Sequence, residues 1–248
     1  MNPDNTDKAS IGVVARVASV LRALAEAPSG MSLGQIARRS GLARSTVQRL
    51  VSALASEGLV VTSGGAGQIG LGPELLRLSA ALLADMPTRL RAQIRLLSGE
   101  LGETVDLSVV RYDQVVFLDQ VPGVQRLLAV SHIGAAFPLH CCASGKAYLA
   151  KLSDREVQER IGQTYDRRTA FTRTTFEELA RDLAAIRRTG IAIDDQEHTE
   201  GISALGIGVG NVGESWFGIS VPMPSQRFIE NKSGFVRRLL EFQHANTY

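Results

Sequence analysis

The sequence predicts an α+β fold, a mostly helical head followed by a mixed domain with one mainly antiparallel sheet. Three observations carry it. Apolar residues recur at three- and four-residue spacing over most of the first hundred positions, as in amphipathic helices. From Thr104 the pattern changes to short apolar runs bounded by polar turns, with helical stretches interspersed. At 248 residues the chain is long enough for two cores.

Composition narrows the class. Apolar residues make up 44% and charged ones 21%, the balance of a globular protein. No run approaches 18 apolar residues, so no membrane partner is expected. Residues 1–10 are polar, unlike a signal peptide, and read as a disordered tail. The only cysteines, Cys141 and Cys142, are adjacent and poorly placed for a structural disulfide. That fits a reducing, cytoplasmic location.

The head, residues 11–72, begins with an amphipathic helix over 13–27 whose Val14, Val17, Leu21 and Leu24 face a core; Pro28, Ser29 and Gly30 end it. Ser32 and Gln35 form a capping-box pair ahead of Ile36 and Ala37, and Gly41 stops that second helix. Leu42 plugs the turn. In the third helix Val47, Leu50, Val51 and Leu54 share the buried face, leaving Arg44, Ser45, Thr46, Gln48 and Arg49 to grip phosphates or reach base edges. This is a helix-turn-helix. Residues 59–71 read as two short strands around a Gly-rich turn, a wing without Lys or Arg. Residues 10–65 hold six arginines against two glutamates, a net +4, leaving −2 for the rest of a chain whose total is +2. The excess favours double-stranded DNA as partner, with Ser32, Gln35 and residues 44–46, 48 and 49 as contacts.

Residues 73–102, with Pro73 and Pro87 opening two Leu- and Ala-rich helices, read equally as a linker with a dimer interface or as ordinary packing onto a domain. The second domain, 103–248, shows strands at 105–110, 114–121, 127–132, 190–194, 203–209 and 216–223. Helices are expected near 143–151, 154–162, 175–189 and 226–243.

Three patterns there imitate chemistry. Ser144-Gly145-Lys146 ends like a P-loop, but His140 stands where the first glycine belongs. Residues 208–213 spell G-x-G-x-x-G, yet a strand follows where a dinucleotide site needs a helix, so a hairpin around Asn211, Val212 and Gly213 is expected. His140, Cys141 and Cys142, with Asp194, Glu197 and His198 downstream, could serve a cysteine- or metal-dependent enzyme, although no C-x-x-C or H-x-x-x-H spacing is present. The alternative is that small residues at 141–144 let a helix start approach the sheet, where free amides also attract anions.

The order of these features resembles the isocitrate lyase regulator (IclR) family of bacterial transcription factors over about residues 12–243. The likeness is carried by R-x-x-x-V-L-x-A-L (16–24), GLARSTVQRLVSAL, L-G-P-E-L-L, PLHCCASGKAYLA, F-T-x-x-T (171–175), G-I-A-I-D-D-Q-E-H-x-x-G and G-I-S-V-P. The resemblance implies a winged helix-turn-helix, a helical linker and a GAF-like effector-binding domain, with no cofactor and no catalysis. It implies a homodimer, or a dimer of dimers, on promoters of catabolic genes, controlled by an organic acid or aromatic catabolite. By motif, the effector site falls on Leu128, Cys142, Ala143, Ser144, Gly145, Asp194, Ala204, Ser220 and Pro222. Ala204 stands where the family commonly has Cys, and Pro222 where small-acid binders often have Ser. Each lost polar group removes a ligand hydrogen bond of about 0.5–1.5 kcal/mol, so a larger or less polar effector is expected.

Overall fold

The computed structural model describes residues 4–27, 29–63, 67–84, 88–212 and 215–246, in two compact units that divide between residues 85 and 86. In the first unit, α1 (Asp4–Ala25), α2 (Leu33–Ser40) and α3 (Arg44–Ser56) lead into a hairpin of β1 (Val60–Ser63) and β2 (Gln68–Leu71), and α4 (Glu74–Ala84) follows. The two strands pair antiparallel from Val60 with Leu71 to Ser63 with Gln68, and Met31 bridges to Ile69. Pro28, Pro87 and residues 64–66 of the expected wing turn lie outside the described residues.

Local chemistry accounts for these boundaries. The Gln35 amide donates to Ser32 Oγ at 3.4 Å, and the Ser32 amide donates to Gln35 Oε1 at 2.8 Å, closing the capping box. Gly41 ends α2 in the left-handed region at φ 69°, which glycine reaches without a Cβ penalty. Ile36, Val47, Val51, Leu54, Val20, Leu24, Val60 and Ile69 form the core, with Leu42 packed against it.

Two expectations for the head need correction. Residues 4–10 belong to α1 rather than to a tail; residues 4–11 contain neither Gly nor Pro, so the helix propagates through them. Val14 is 68% exposed. The helix starts well before the core does, so its buried face begins near Val17 and is completed by Val20, Ala23 and Leu24.

The second unit opens with α5 (Thr88–Leu101), then β3 (Val105–Arg111), β4 (Gln114–Val121) and β5 (Ala136–Pro138). A single 3-10 turn, Leu139–Cys141, leads to α6 (Ala143–Leu149), α7 (Asp154–Ile161) and α8 (Phe176–Thr189). Then come β6 (Ala192–Asp195), β7 (Ile202–Val212), β8 (Ser215–Pro224) and α9 (Ser225–Asn246). Among the described residues the strands form one sheet in the order β5-β4-β3-β8-β7-β6, antiparallel at each pairing.

Strand alternation gives this sheet two unlike faces. Val105, Leu107, Val109, Leu205, Ile207, Val209, Phe217, Ile219, Val221 and Met223 point to one, under Leu90, Ile94 and Leu97 of α5 and Phe228, Leu239 and Phe242 of α9. The intervening positions, Asp106, Ser108, Ala204, Gly206, Gly208, Gly218, Ser220 and Pro222, point to the other. There α6 lies against β6, β7 and β8, with α8 behind it.

Residues 73–102 therefore do not act as one segment: α4 belongs to the first unit, while α5 is core to the second. Residues 127–132, expected as a strand, make no ladder. Their carbonyls are taken by side chains instead, Leu127 O by Arg227 Nη2 at 2.7 Å and Ser131 O by Gln120 Nε2 at 2.6 Å. Residues 136–138 occupy the edge of the sheet in their place. Residues 202–212 and 215–224 do form the expected hairpin; its turn, 213–214, lies outside the described residues.

Candidate functional site

In the head, the geometry concentrates on the start of α3. Ala43 is its N-cap and supplies no side-chain hydrogen bond, and the first backbone bond of the helix is Val47 N–H to Ala43 O at 3.0 Å. The amides of Arg44, Ser45 and Thr46 precede that bond, at the positive end of the helix dipole, which suits a phosphate oxygen. Arg44, Ser45, Gln48 and Arg49 are exposed and Thr46 is half-buried. Among the described residues neither Arg44 nor Arg49 has an ion pair, whereas Arg39 is engaged by Glu26. Ser32 and Gln35 spend their side chains on each other.

In the second unit, Leu128, Cys142, Ala143, Ser144, Asp194, Ala204, Ser220 and Pro222 all line one cavity of about 240 Å³. The register explains the convergence. Asp194 pairs with Ala204, Ala204 with Pro222, and Ser220 with Asp106, so neighbouring strands lay these side chains side by side on the small-residue face. Gly206 lets α6 descend: a Cβ there would meet the Ala143 carbonyl carbon at 2.6 Å. Gly145 is not on the wall. It abuts the Leu139 backbone, where a Cβ would meet the carbonyl oxygen at 2.4 Å, so its part is to allow the tight approach of the 3-10 turn.

The cavity also takes in Asp106, Phe117, Ala129, Val130, Ser131, Phe137, His198, Thr199 and Ile202. Of these, only His198 was singled out from sequence. Asp106 and Phe117 could have been found by extending the strand alternation that marked Ser220; the loop residues carry no local signal.

Its electrostatics are unusual for the number of carboxylates. Asp106 accepts from Gln120 Nε2 and Ser131 Oγ, each at 2.7 Å. Burial still pushes its carboxyl up to about 6. Asp194 accepts from the Glu197 amide at 2.8 Å, and burial, with the Glu197 carboxylate near, pushes it up to about 7. His198 stacks on Phe137 with ring centroids 3.6 Å apart; burial, then the positive charge of Arg168, brings it down to about 4. Ser144 Oγ is buried with no hydrogen-bond partner among the described residues.

Lys146, which the P-loop-like tripeptide had highlighted, turns away from this wall. It is 1% exposed, and its Nζ donates to Glu197 Oε1 at 2.5 Å and Asp182 Oδ2 at 3.0 Å. Burial opposes its charge, but the two carboxylates outweigh that and hold it protonated. The pair ties α6 and α8 to the segment after β6, whose Glu197 amide in turn fixes Asp194. The cysteines are poor nucleophiles: burial pushes the Cys141 thiol up to about 12 and that of Cys142 well above its ordinary value, and Cys142 Sγ donates to Pro138 O at 3.3 Å. Among the described residues no helix is long and apolar enough to cross a membrane.

A winged helix-turn-helix joined to a domain with a ligand-sized cavity defines a ligand-responsive class of DNA-binding regulator, and comparison with known proteins supplies the family. The chain matches the IclR helix-turn-helix domain over residues 13–64 and the bacterial transcriptional regulator IclR C-terminal domain over 80–245. It is 41% identical to the HTH-type transcriptional regulator Rv1719 of Mycobacterium tuberculosis, covering 95% of this chain and 91% of the relative. It is 34% identical to the HTH-type transcriptional regulator TtgV of Pseudomonas putida, covering 96% and 92%. Among solved structures, an IclR regulator from Alicyclobacillus acidocaldarius shares the fold at a TM-score of 0.80 and 24% identity, covering 95% of this chain and 96% of that one. An IclR homologue from Microbacterium hydrocarbonoxydans, solved in complex with 4-hydroxybenzoate, matches at 0.74 and 25%, covering 95% and 97%. The chain belongs to the IclR family of transcriptional regulators, with a DNA-binding helix-turn-helix and a C-terminal effector-binding domain.

Proposed function

We propose that the protein binds operator DNA in the cytoplasm through residues 44–46, 48 and 49 of α3, supported by Ser32 and Gln35. A small molecule held in the cavity of the second unit controls that binding. The observation that carries this reading is the start of α3, where an uncapped helix end coincides with exposed Arg44, Ser45, Gln48 and Arg49. The effector contacts are Leu128, Cys142, Ala143, Ser144, Asp194, Ala204, Ser220 and Pro222, with Gly145 shaping the backbone beneath them. The domain is GAF-like and binds rather than converts its ligand; thiols held protonated by burial favour that over a cysteine enzyme.

A homodimer suits a two-half-site operator. Leu76 and Leu78 of α4 and Val13 and Val14 of α1 are exposed apolar residues available for such pairing. Effector control then follows if the ligand prefers one spacing of the two heads over another.

The test uses DNA selected from a random pool by the wild-type protein. Arg44→Ala and Arg49→Ala should each weaken binding. Loss of a phosphate contact lowers the slope of log affinity against log salt by about one, while loss of a base contact relaxes specificity at one position. Wild-type binding by both variants would refute the assignment.

A further inference from the structure

The charge of the cavity decides what it can hold. Among the described residues its wall carries two carboxylates and neither Lys nor Arg. Asp106 lies on β3 and Asp194 on β6, three strand positions apart with β8 and β7 between, so the two are separated by about 14 Å across the sheet. A carboxylate thus stands toward each end of a floor made by Ser220, Pro222 and Ala204. The nearest buried cation, Lys146, is committed to Glu197 and Asp182. A ligand carboxylate would have to leave water for a wall without a cationic side chain, where only the backbone at the start of the seven-residue α6 favours it and two carboxyl groups repel it when ionised.

Shape adds to this. Phe117 meets Phe137 edge-on, with centroids 4.9 Å apart at 81°, and His198 stacks on the other side of the same cluster. The volume, about 240 Å³, is below the roughly 300–1,000 Å³ of pockets for drug-sized ligands, and fits one substituted ring. A carboxylate has about four acceptor sites, and the donors already on Asp106 and Asp194 leave room for one more on each.

We propose that the effector is a neutral single-ring phenol or aromatic alcohol whose hydroxyl groups donate to Asp106 and Asp194, and that carboxylates are rejected. This rests on the reading that the effector occupies this cavity. A cation is disfavoured as well, since each aspartate already accepts protein donors and an ammonium would lose its hydration for an incomplete partner. Burial raises the two carboxyls to about 6 and about 7, so the repulsion of a ligand carboxylate is full only well above pH 7, where both are ionised, and the probes are compared there.

Three probes differ at one group only: 4-hydroxybenzyl alcohol, 4-hydroxybenzoate and 4-hydroxybenzylamine. Isothermal titration calorimetry on the full chain should rank the alcohol first, with the acid weaker by about tenfold or more, or 1.4 kcal/mol. Asp194→Asn, and independently Asp106→Asn, should narrow the gap between alcohol and acid by removing a like charge. The proposal is overturned if the acid binds as well as the alcohol, if the amine binds best, or if no probe binds. Ala204→Phe, which fills the cavity floor, separates the two levels. If it abolishes binding of a preferred acid, the cavity reading stands and the charge inference falls; if probe binding survives it unchanged, the cavity reading itself falls.

Discussion

The two faces of the second unit's sheet use the same strands for opposite purposes. On β7 and β8, Leu205, Ile207, Val209, Ile219, Val221 and Met223 are buried under α5 and α9, while the residues between them are Ala204, Gly206, Gly208, Gly218, Ser220 and Pro222. The first face is bulky and filled. The second is small enough for a helix to come close and for a space to remain beside it. Along these two strands bulk lies on one side and room for a ligand on the other, while the small-residue face takes its own core from Val115, Phe117, Leu149, Leu179 and Leu183 beside the cavity, so a residue's parity on β7 and β8 indicates which of the two a substitution will affect.

That contrast can be broken most forcefully from the filled side. Leu205→Ala should cost about 2–5 kcal/mol in denaturant unfolding, as expected for a fully buried leucine whose surroundings relax only partly. Gly206→Val, its neighbour of opposite parity, should cost about 1–3 kcal/mol by forcing α6 away from β7, and should also abolish ligand binding. If Gly206→Val binds ligand normally, close packing of α6 is not what shapes the cavity.

The charged end of the small face gives a pH signature. The Asp194 carboxyl, raised from an ordinary value of 3.8 to about 7, holds a proton in the folded state that the unfolded chain has released between those values. Its contribution to stability is therefore full below pH 4, lost as pH rises to 7, and flat above. His198, lowered from 6.5 to about 4, has the opposite dependence over pH 4 to 6.5 and masks it. The difference between Asp194→Asn and wild type isolates the aspartate. It should move in favour of the variant by up to about 1.4 kcal/mol per pH unit from pH 4 to 7 and then stop. A constant difference across that window would mean that Asp194 ionises normally. At the small end of the scale, Ser220→Ala should change stability by no more than about 0.5 kcal/mol, because its side chain lines the cavity rather than filling either core. A larger loss would show the two faces to be less separate than described.

Much of this was legible in the sequence, for physical reasons that differ between regions. The capping box at Ser32 and Gln35, the stop at Gly41 and the apolar spacing from Val47 to Leu54 are local, so they could be read directly. Strand parity on 203–209 and 216–223 was equally local, and family motifs led to eight residues that share one cavity. What was not legible depended on distant partners. The segment 127–132 has the composition of a strand, but Arg227, Gln120 and Asp106 claim its polar groups from elsewhere in the chain. Residues 73–102 read equally as a linker or as packing onto a domain, because nothing in them reveals the sheet that Leu90, Ile94 and Leu97 cover. Gly145 was placed on the wall by its motif, whereas its role depends on the Leu139 backbone behind it.

The most direct test of ligand control is the DNA affinity of wild type and of Ala204→Phe, each measured by fluorescence anisotropy with and without saturating 4-hydroxybenzyl alcohol. Coupling of ordinary size should shift the wild-type Kd by about 5- to 150-fold, and leave the cavity-filled variant, with its α3 intact, unresponsive. Equal shifts in both proteins, or none in wild type, would contradict control of α3 through this cavity.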